Sequence, residues 1–536
     1  MKRIASQRKA LRGLLSVACA TAMSLSLTAA AKQPPAVFLP GYTPAQQEGN
    51  FLTFPESSVL QNPTTAKAYY DAIDPQGAKV TFPQWLVKAG FIGHESDWHP
   101  TGAQIIMPGR PTGNHAVDDN VIYTDSHAII VNNADLGFVR NQFVRCSPSC
   151  TAKNPIIYTY LENYPYPALT TEPFGFPNAA EAKAAILDAN FRGELDPQRP
   201  EALRSYRIAD VAFEWAPPPD GSSPRSRYGQ LYAYIFHKDG SGAITETRNW
   251  PNDQAFLDTQ FNSRDDDHFP PILFNPLPAQ RYQVKAGDPF APELDGLGVK
   301  QHPGVCFMCH GGDPRNLTST GQYPSQGRSS GFKFLPLDIG NLLFTSDNDP
   351  GDPFSRAAQE SNIKRYNQVV LMTQGAVPLT TNLNGAWKIP TFTDGQGTFR
   401  TSHAIEAILG WYGGSVANPT MPGPTQDTSF VPVGWRESAH GGTAPAGSEE
   451  LYLKAVGPSC RACHSQRESD LDFGTVASFD AHKSDILEMV LQPECDANRP
   501  PAGKVIMPAA FRTFNRFWLE DQDEFLKTHF GFTCAN

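Results

Sequence analysis

The sequence predicts a multi-domain chain: an α+β or mainly β N-terminal domain, followed by two mainly α domains. Three observations carry this. Short β-branched and aromatic runs, separated by turn residues, occupy the stretch before residue 290. Two C-x-x-C-H stretches, Cys306-Phe-Met-Cys309-His310 and Cys460-Arg-Ala-Cys463-His464, divide the remainder. Helical candidates flank each of them. The expected segments are a leader over 1–31, an N-terminal domain over 32–290, a first motif domain over 291–434 and a second over 435–536.

The leader is read from charge and hydropathy. Met1 to Gly13 carries Lys2, Arg3, Arg8, Lys9 and Arg12 and no acid. Leu14 to Leu27 is apolar or small, and Thr28-Ala29-Ala30-Ala31 offers an A-x-A cleavage site. This is the pattern of a bacterial-type secretory signal peptide, and it predicts a periplasmic or secreted product. Cys19 lies inside it, and the residues before it, Leu15-Ser16-Val17-Ala18, resemble a lipoprotein box only loosely. No later segment approaches 18 uninterrupted apolar residues, so no membrane span is expected.

In the N-terminal domain, strands are expected at Asn120–Tyr123, Ala128–Val131, Tyr206–Trp215 and Gln230–Phe236. A hairpin is expected from Gln230–Phe236 through the turn Lys238-Asp-Gly-Ser-Gly242 into Ala243–Thr247. Ala179 to Phe191 is the best helix there. The second segment offers helices at Ser355–Met372 and His403–Trp411. The third offers Ser448–Val456 leading to its motif, then Ser478–Val490 and Asp521–His529.

C-x-x-C-H is the attachment site of a c-type haem, and the chemistry requires the spacing. Two thiols add across the haem vinyl groups, so they must lie about one helical turn apart. The adjacent imidazole then meets the iron from one side. The chain has 9 Cys and 13 His in 536 residues. At those frequencies roughly 0.004 such motifs would arise by accident, and there are two. The alternatives are a zinc site or a C-x-x-C redox pair. Both pairs carry the His, and no second C-x-x-C half-site completes a zinc cage. The residues therefore predict two covalent haems, held by Cys306, Cys309, Cys460 and Cys463, with His310 and His464 on the irons.

For the sixth ligand of the second haem, Met507 in Lys504-Val-Ile-Met507-Pro508 stands 43 residues after His464. A thioether from a Pro-shaped loop is a common ligand and raises the haem potential. The alternative is a core methionine. For the first haem, Met372, Met421 in its own Met-Pro pair, His403 or a vacant site all remain open. Asp347-Asn-Asp349-Pro-Gly351-Asp352 makes Ca²⁺ conceivable, but the downstream Glu of an EF-hand loop is missing and a solvated turn is the simpler reading. Trp387, Trp411, Trp435 and Trp518 either pack on haem edges or belong to the core.

Without Cys19, eight cysteines remain, and four of them are in the motifs. The other four, Cys146, Cys150, Cys495 and Cys534, suggest two disulfides in an oxidising compartment. Cys146-Ser-Pro-Ser-Cys150 can close locally, which would leave Cys495 for Cys534. Free thiols are the alternative, and sequence alone does not fix the connectivity. The formal charge is −10, and removing the five basic leader residues leaves −15. That disfavours nucleic acid and anionic membrane surfaces and favours a basic redox protein as partner. With 48 Pro and 43 Gly and only 18% charged residues, the chain should be rich in loops.

The segment from Cys460 through Met507 resembles a class I cytochrome c domain. The whole chain resembles two-haem cytochromes of proteobacterial periplasms that carry a long N-terminal extension. This resemblance implies two cytochrome c-type haem domains and covers about 230 residues. Two-haem families include bacterial cytochrome c peroxidases and the related rubber oxygenases, which carry a Tyr-Phe-His-Asp-Gly-type loop. The nearest counterpart here, Lys388-Ile-Pro-Thr-Phe-Thr-Asp-Gly-Gln-Gly, lacks its His. Two function classes follow. The first is electron transfer between redox partners, because haem motifs establish redox capacity and not catalysis. The second is a dihaem oxidoreductase of peroxidase or oxygenase type, with an open iron position at the first haem.

Overall fold

The computed structural model describes residues 63–99, 104–134, 139–152, 155–164, 209–217, 230–237, 306, 310, 319–321, 333–393, 399–465, 471–491, 495, 513, 516–518 and 520–534. The leader over 1–31, the expected helix at Ala179–Phe191, the hairpin turn and Ala243–Thr247, Cys309 and Met507 lie outside them.

The centre is a six-stranded antiparallel sheet. It contains β1 (Ser126–Asn132), β2 (Val139–Ser147), β3 (Ile156–Tyr164), β4 (Ala209–Ala216), β5 (Gln230–His237) and β6 (Leu342–Leu343). Strands β1 to β5 follow one another as a meander, and β6 pairs with the outer edge of β1. Three of the expected strands belong to this sheet with ends shifted by a few residues, and the fourth, Asn120–Tyr123, appears as Val121–Thr124 in a separate parallel pair with Ile105–Pro108. Two central strands, β2 and β3, were not expected. β2 reads poorly as a strand because Asn141, Gln142 and Arg145 interrupt its apolar residues, yet all three are buried. The fold satisfies two of them by contacts distant in sequence. Asn141 bonds His127 of β1 and Glu162 of β3, and Arg145 donates to the carbonyls of Gly109 and Tyr123.

The pleat sends alternate side chains to two different cores. Phe143, Tyr160, Ala212 and Tyr234 are register partners across four strands, and all face one side. There they meet helices α1 (Pro63–Ile73) and α2 (Phe82–Ala89), which bring Tyr69, Phe82, Trp85 and Leu86. Helix α2 is well delimited. Thr81 and Gln84 form a capping box, and Gly90, at φ 76°, closes the C-terminus in the left-handed region.

On the other face, Val144, Ile157, Phe213, Leu231 and Ala233 pack with helices α3 (Arg356–Thr373) and α4 (His403–Trp411) and with Cys306. Both helices match their expected spans within a residue. Ser355 and Ser402 cap them, accepting from the N–H groups of Ala358 and Ile405. The packing thus crosses residue 290: the first motif and its helices share a core with the sheet, and residues 342–343 add a strand to it.

The described residues between 431 and 532 build a separate core round Trp435, Tyr452, Val456, Cys460, Phe473, Phe479, Trp518, Leu526 and Phe530. Helix α5 (Ser448–Leu451) runs into a π-helical stretch at Tyr452–Cys460 and then into α6 (Arg461–His464). Pro458 lies inside this run; without an N–H it cannot keep the normal ladder. The expected Ser478–Val490 helix appears in pieces, α7 (Val476–Asp480), α8 (Lys483–Ile486) and a π turn at Leu487–Leu491. Helix α9 (Gln522–Phe530) closes this part. Disulfides join Cys146 to Cys150 and Cys495 to Cys534. Among the described residues no helix is long and apolar enough to cross a membrane.

Candidate functional site

The second motif is described in full. Cys460 ends the π-helical stretch, and Cys463 lies three residues on within α6, so both thiols share one side of a helical turn. His464 follows directly. Its ring Nδ1 lies 3.1 Å from the Leu471 carbonyl oxygen, and the Phe473 N–H donates back to the His464 carbonyl at 3.0 Å. A carbonyl only accepts, so Nδ1 carries the proton and the lone pair sits on Nε2. Phe473 also stacks on the imidazole, with centroids 4.4 Å apart and planes 9° from parallel. The ring is thus fixed in both tautomer and orientation.

The first motif repeats this arrangement with different parts. His310 donates from Nδ1 to the Lys333 carbonyl at 2.7 Å, and the Lys333 N–H returns a bond to the His310 carbonyl at 3.0 Å. Phe213 of β4 lies 4.9 Å from the ring. Cys306 is buried in the core on that face of the sheet. Metal-binding histidines characteristically donate their other ring N–H to a carbonyl or carboxylate, which raises ligand basicity and fixes the ring. Both motif histidines have that partner. Lys333 and Leu471 act through main-chain oxygens, so their side chains carry no signal that sequence reasoning could use.

The two alternative readings of C-x-x-C fare less well at the second motif. A redox pair needs an accessible cysteine with a lowered pKa, whereas burial pushes the Cys460 thiol up to about 12. A zinc cage needs further donors around the thiols. Among the described residues, the groups of three potential metal ligands are Asp97, His115 and Asp119, and Asp125 with the disulfide-bonded Cys146 and Cys150; neither includes a motif cysteine.

The other sequence-derived candidates fall in definite places. Met372 and Met421 are both buried in the core that contains Cys306. His403, weighed as a ligand for the first motif, lies beside the second. Its Nε2 is 2.8 Å from the Tyr452 hydroxyl, and the N–H of its neighbour Ala404 donates to the Ser465 carbonyl. Burial, reinforced by the nearby Arg461, lowers its pKa to about 3, so it is a neutral imidazole. The Asp347–Asp352 turn spends its carboxylates locally: Asp349 accepts from the Gly351 N–H, and Asp352 from the Thr345 hydroxyl and the Phe354 N–H. Trp387, Trp411, Trp435 and Trp518 are all core residues.

A junction links the two motif regions, and sequence gave no warning of it. Arg461, inside the second motif, reaches Asp338, which lies 28 residues after His310, and also bonds Tyr452. Its guanidinium lies over the Trp411 ring at 5.1 Å. Arg516 makes a second tie, donating to the Asn133 carbonyl and the Asn341 side chain. Comparison with known proteins finds no matching family model, no matching curated protein and no matching solved structure.

Proposed function

We propose that this chain is an extracytoplasmic dihaem c-type cytochrome that carries electrons between redox partners. Haem would be attached through Cys306 and Cys309 and through Cys460 and Cys463, with His310 and His464 as proximal ligands and Met507 as sixth ligand of the second haem. When bound, each haem supplies a one-electron Fe(III)/Fe(II) couple. One observation carries the reading: in both motifs the histidine hands its Nδ1 proton to a main-chain carbonyl, leaving Nε2 as the ligating atom.

The chain's own residues do the rest. Leu471 and Lys333 hold the imidazoles through their carbonyls, and Phe473 and Phe213 set the ring planes. The first cysteine of each motif, Cys306 and Cys460, is buried in one of the two cores. Electron transfer is favoured over catalysis because the first motif opens onto a packed core that already contains two methionines, Met372 and Met421, either one a candidate thioether ligand.

The test is made on protein matured in a periplasm with haem-attachment machinery. Intact mass should exceed the mature polypeptide by two haems, and acid–acetone should leave the colour on the protein. A gain of one haem or none would sink the reading. Two low-spin haems in the resting spectrum support the carrier. A high-spin first haem that turns over peroxide or dioxygen and is silenced by cyanide would replace it with the enzyme.

A further inference from the structure

Arg461 occupies the first variable position of the second C-x-x-C-H motif, directly between the two thiols that would bind haem. It is a fully charged side chain with almost no solvent contact: the side chains of Arg461 and Asp338 are each 8% exposed. Its Nε donates to Asp338 Oδ2 at 3.0 Å, and Nη2 reaches the same oxygen. Nη1 donates to the Tyr452 hydroxyl at 2.9 Å, and the guanidinium carbon lies 5.1 and 5.3 Å from the Trp411 and Tyr452 ring centroids. Asp338 is fixed in turn by the Gly340 N–H at 3.0 Å and the Asn341 amide at 3.3 Å.

Stability is a weak reason for such a pair. Desolvating two ions offsets most of their attraction, and apolar replacements of similar size are often as stable or more so. An electrostatic task is a better one. A charge in a low-dielectric interior acts strongly on any neighbouring redox centre. A cation favours the state with the extra electron, and an anion disfavours it. Here the cation comes from within the motif, and its counter-anion from the segment that carries the first motif.

We propose that the Arg461–Asp338 pair sets the reduction potential of the haem bound at Cys460 and Cys463 and makes that potential depend on the docking of the first-motif region. This rests on the haem reading above. The step involved is the uptake of one electron by Fe(III), giving Fe(II), from the redox partner, with no bond made or broken.

The test is a set of four variants in the full haem-loaded chain, each titrated spectroelectrochemically for both potentials. Arg461→Gln leaves Asp338 unneutralised and should lower one potential. Asp338→Asn leaves Arg461 unneutralised and should raise the same one. Each change is expected to shift the reduction equilibrium about tenfold, which is ~59 mV for one electron. The double variant should fall between the two single variants, and Arg461→Lys, which keeps the charge, should stay nearest to the parent. A purely structural role predicts that both single variants move the potential the same way, as loosened packing lets in water. That result, or unmoved potentials in protein carrying two haems, would overturn the proposal while leaving the haem reading intact. If Arg461→Gln fails to accumulate, the sign of the Asp338→Asn shift decides alone. A parent protein without covalent haem at Cys460 and Cys463 would overturn both.

Discussion

Single side chains carry the chemistry, and each charged or ligating one can be tested. Met507, outside the described residues, is named by its spacing from His464 and its Met-Pro context. Met507→Ala should abolish the weak sulfur-to-iron absorption at the red end and lower the second haem's potential, because a thioether favours Fe(II). Survival of both band and potential would make it a packing residue. His127 allows a pH test. Its ring stacks on Phe143 with centroids 4.6 Å apart, and Nε2 bonds the Asn141 side chain at 2.6 Å. Burial holds its pKa below the usual histidine value. The unfolded chain therefore binds a proton near pH 6.5 that the folded chain refuses. The contribution is complete above that pH and is lost as the pH falls below it, by up to about 1.4 kcal/mol per pH unit. His127→Gln keeps a donor for Asn141 and should flatten the slope of denaturant stability between pH 7.5 and 5.5. An unchanged slope would remove His127 from the account.

At the scale of elements, ends and ties matter more than interiors. Helix α4 starts at Ser402, which is buried and accepts from the Ile405 N–H. Ser402→Ala should cost about 1 kcal/mol by chemical denaturation. The cost is local, but α4 carries His403 and Trp411, the two residues that meet Tyr452 and Arg461 of the second region. The Cys495–Cys534 disulfide spans 39 residues and fastens the chain beyond the second motif to the end of α9. Closing a loop of that length limits the unfolded chain by about 4 kcal/mol on the entropic model. Replacing both cysteines by serine should lower stability by up to that amount while leaving the haem count at two. Loss of the second haem instead would give the bridge a part in shaping the site.

For the whole molecule, charge bears on the proposed partner and packing sets the unit. The chain is acidic, with a formal charge of −10, or −15 without the five basic residues of the proposed leader. Electron exchange with a basic cytochrome should therefore be fast at low ionic strength and slow as salt screens the steering field. Rates indifferent to salt would remove the electrostatic part of the partner argument and keep the carrier role. The sheet and the first motif form one packed unit, since Phe213 of β4 meets both the His310 ring and Phe334. The second motif has its own core, joined to that unit through buried ions at Arg461 and Arg516.

Local chemistry was legible along the chain. The two C-x-x-C-H motifs, the serine-capped helices and the β-branched strands all depend on neighbours a few residues apart, so their signals are written in order. The four remaining cysteines were legible by subtraction once the motifs were set aside, and the fold joined them as Cys146–Cys150 and Cys495–Cys534. The rest was decided by contacts between residues far apart in sequence. Strand β2 was hidden because its buried Asn141 and Arg145 look like surface residues until β1, β3 and the carbonyls of Gly109 and Tyr123 satisfy them. His403 looked free to serve the first motif until α4 packed it against Tyr452. Arg461 read as an unremarkable spacer between two cysteines, and only the fold brought Asp338 to it across 123 residues. Burial and partnership are properties of the assembled molecule: a polar residue's cost and use depend on what surrounds it, and those surroundings are made only by tertiary packing.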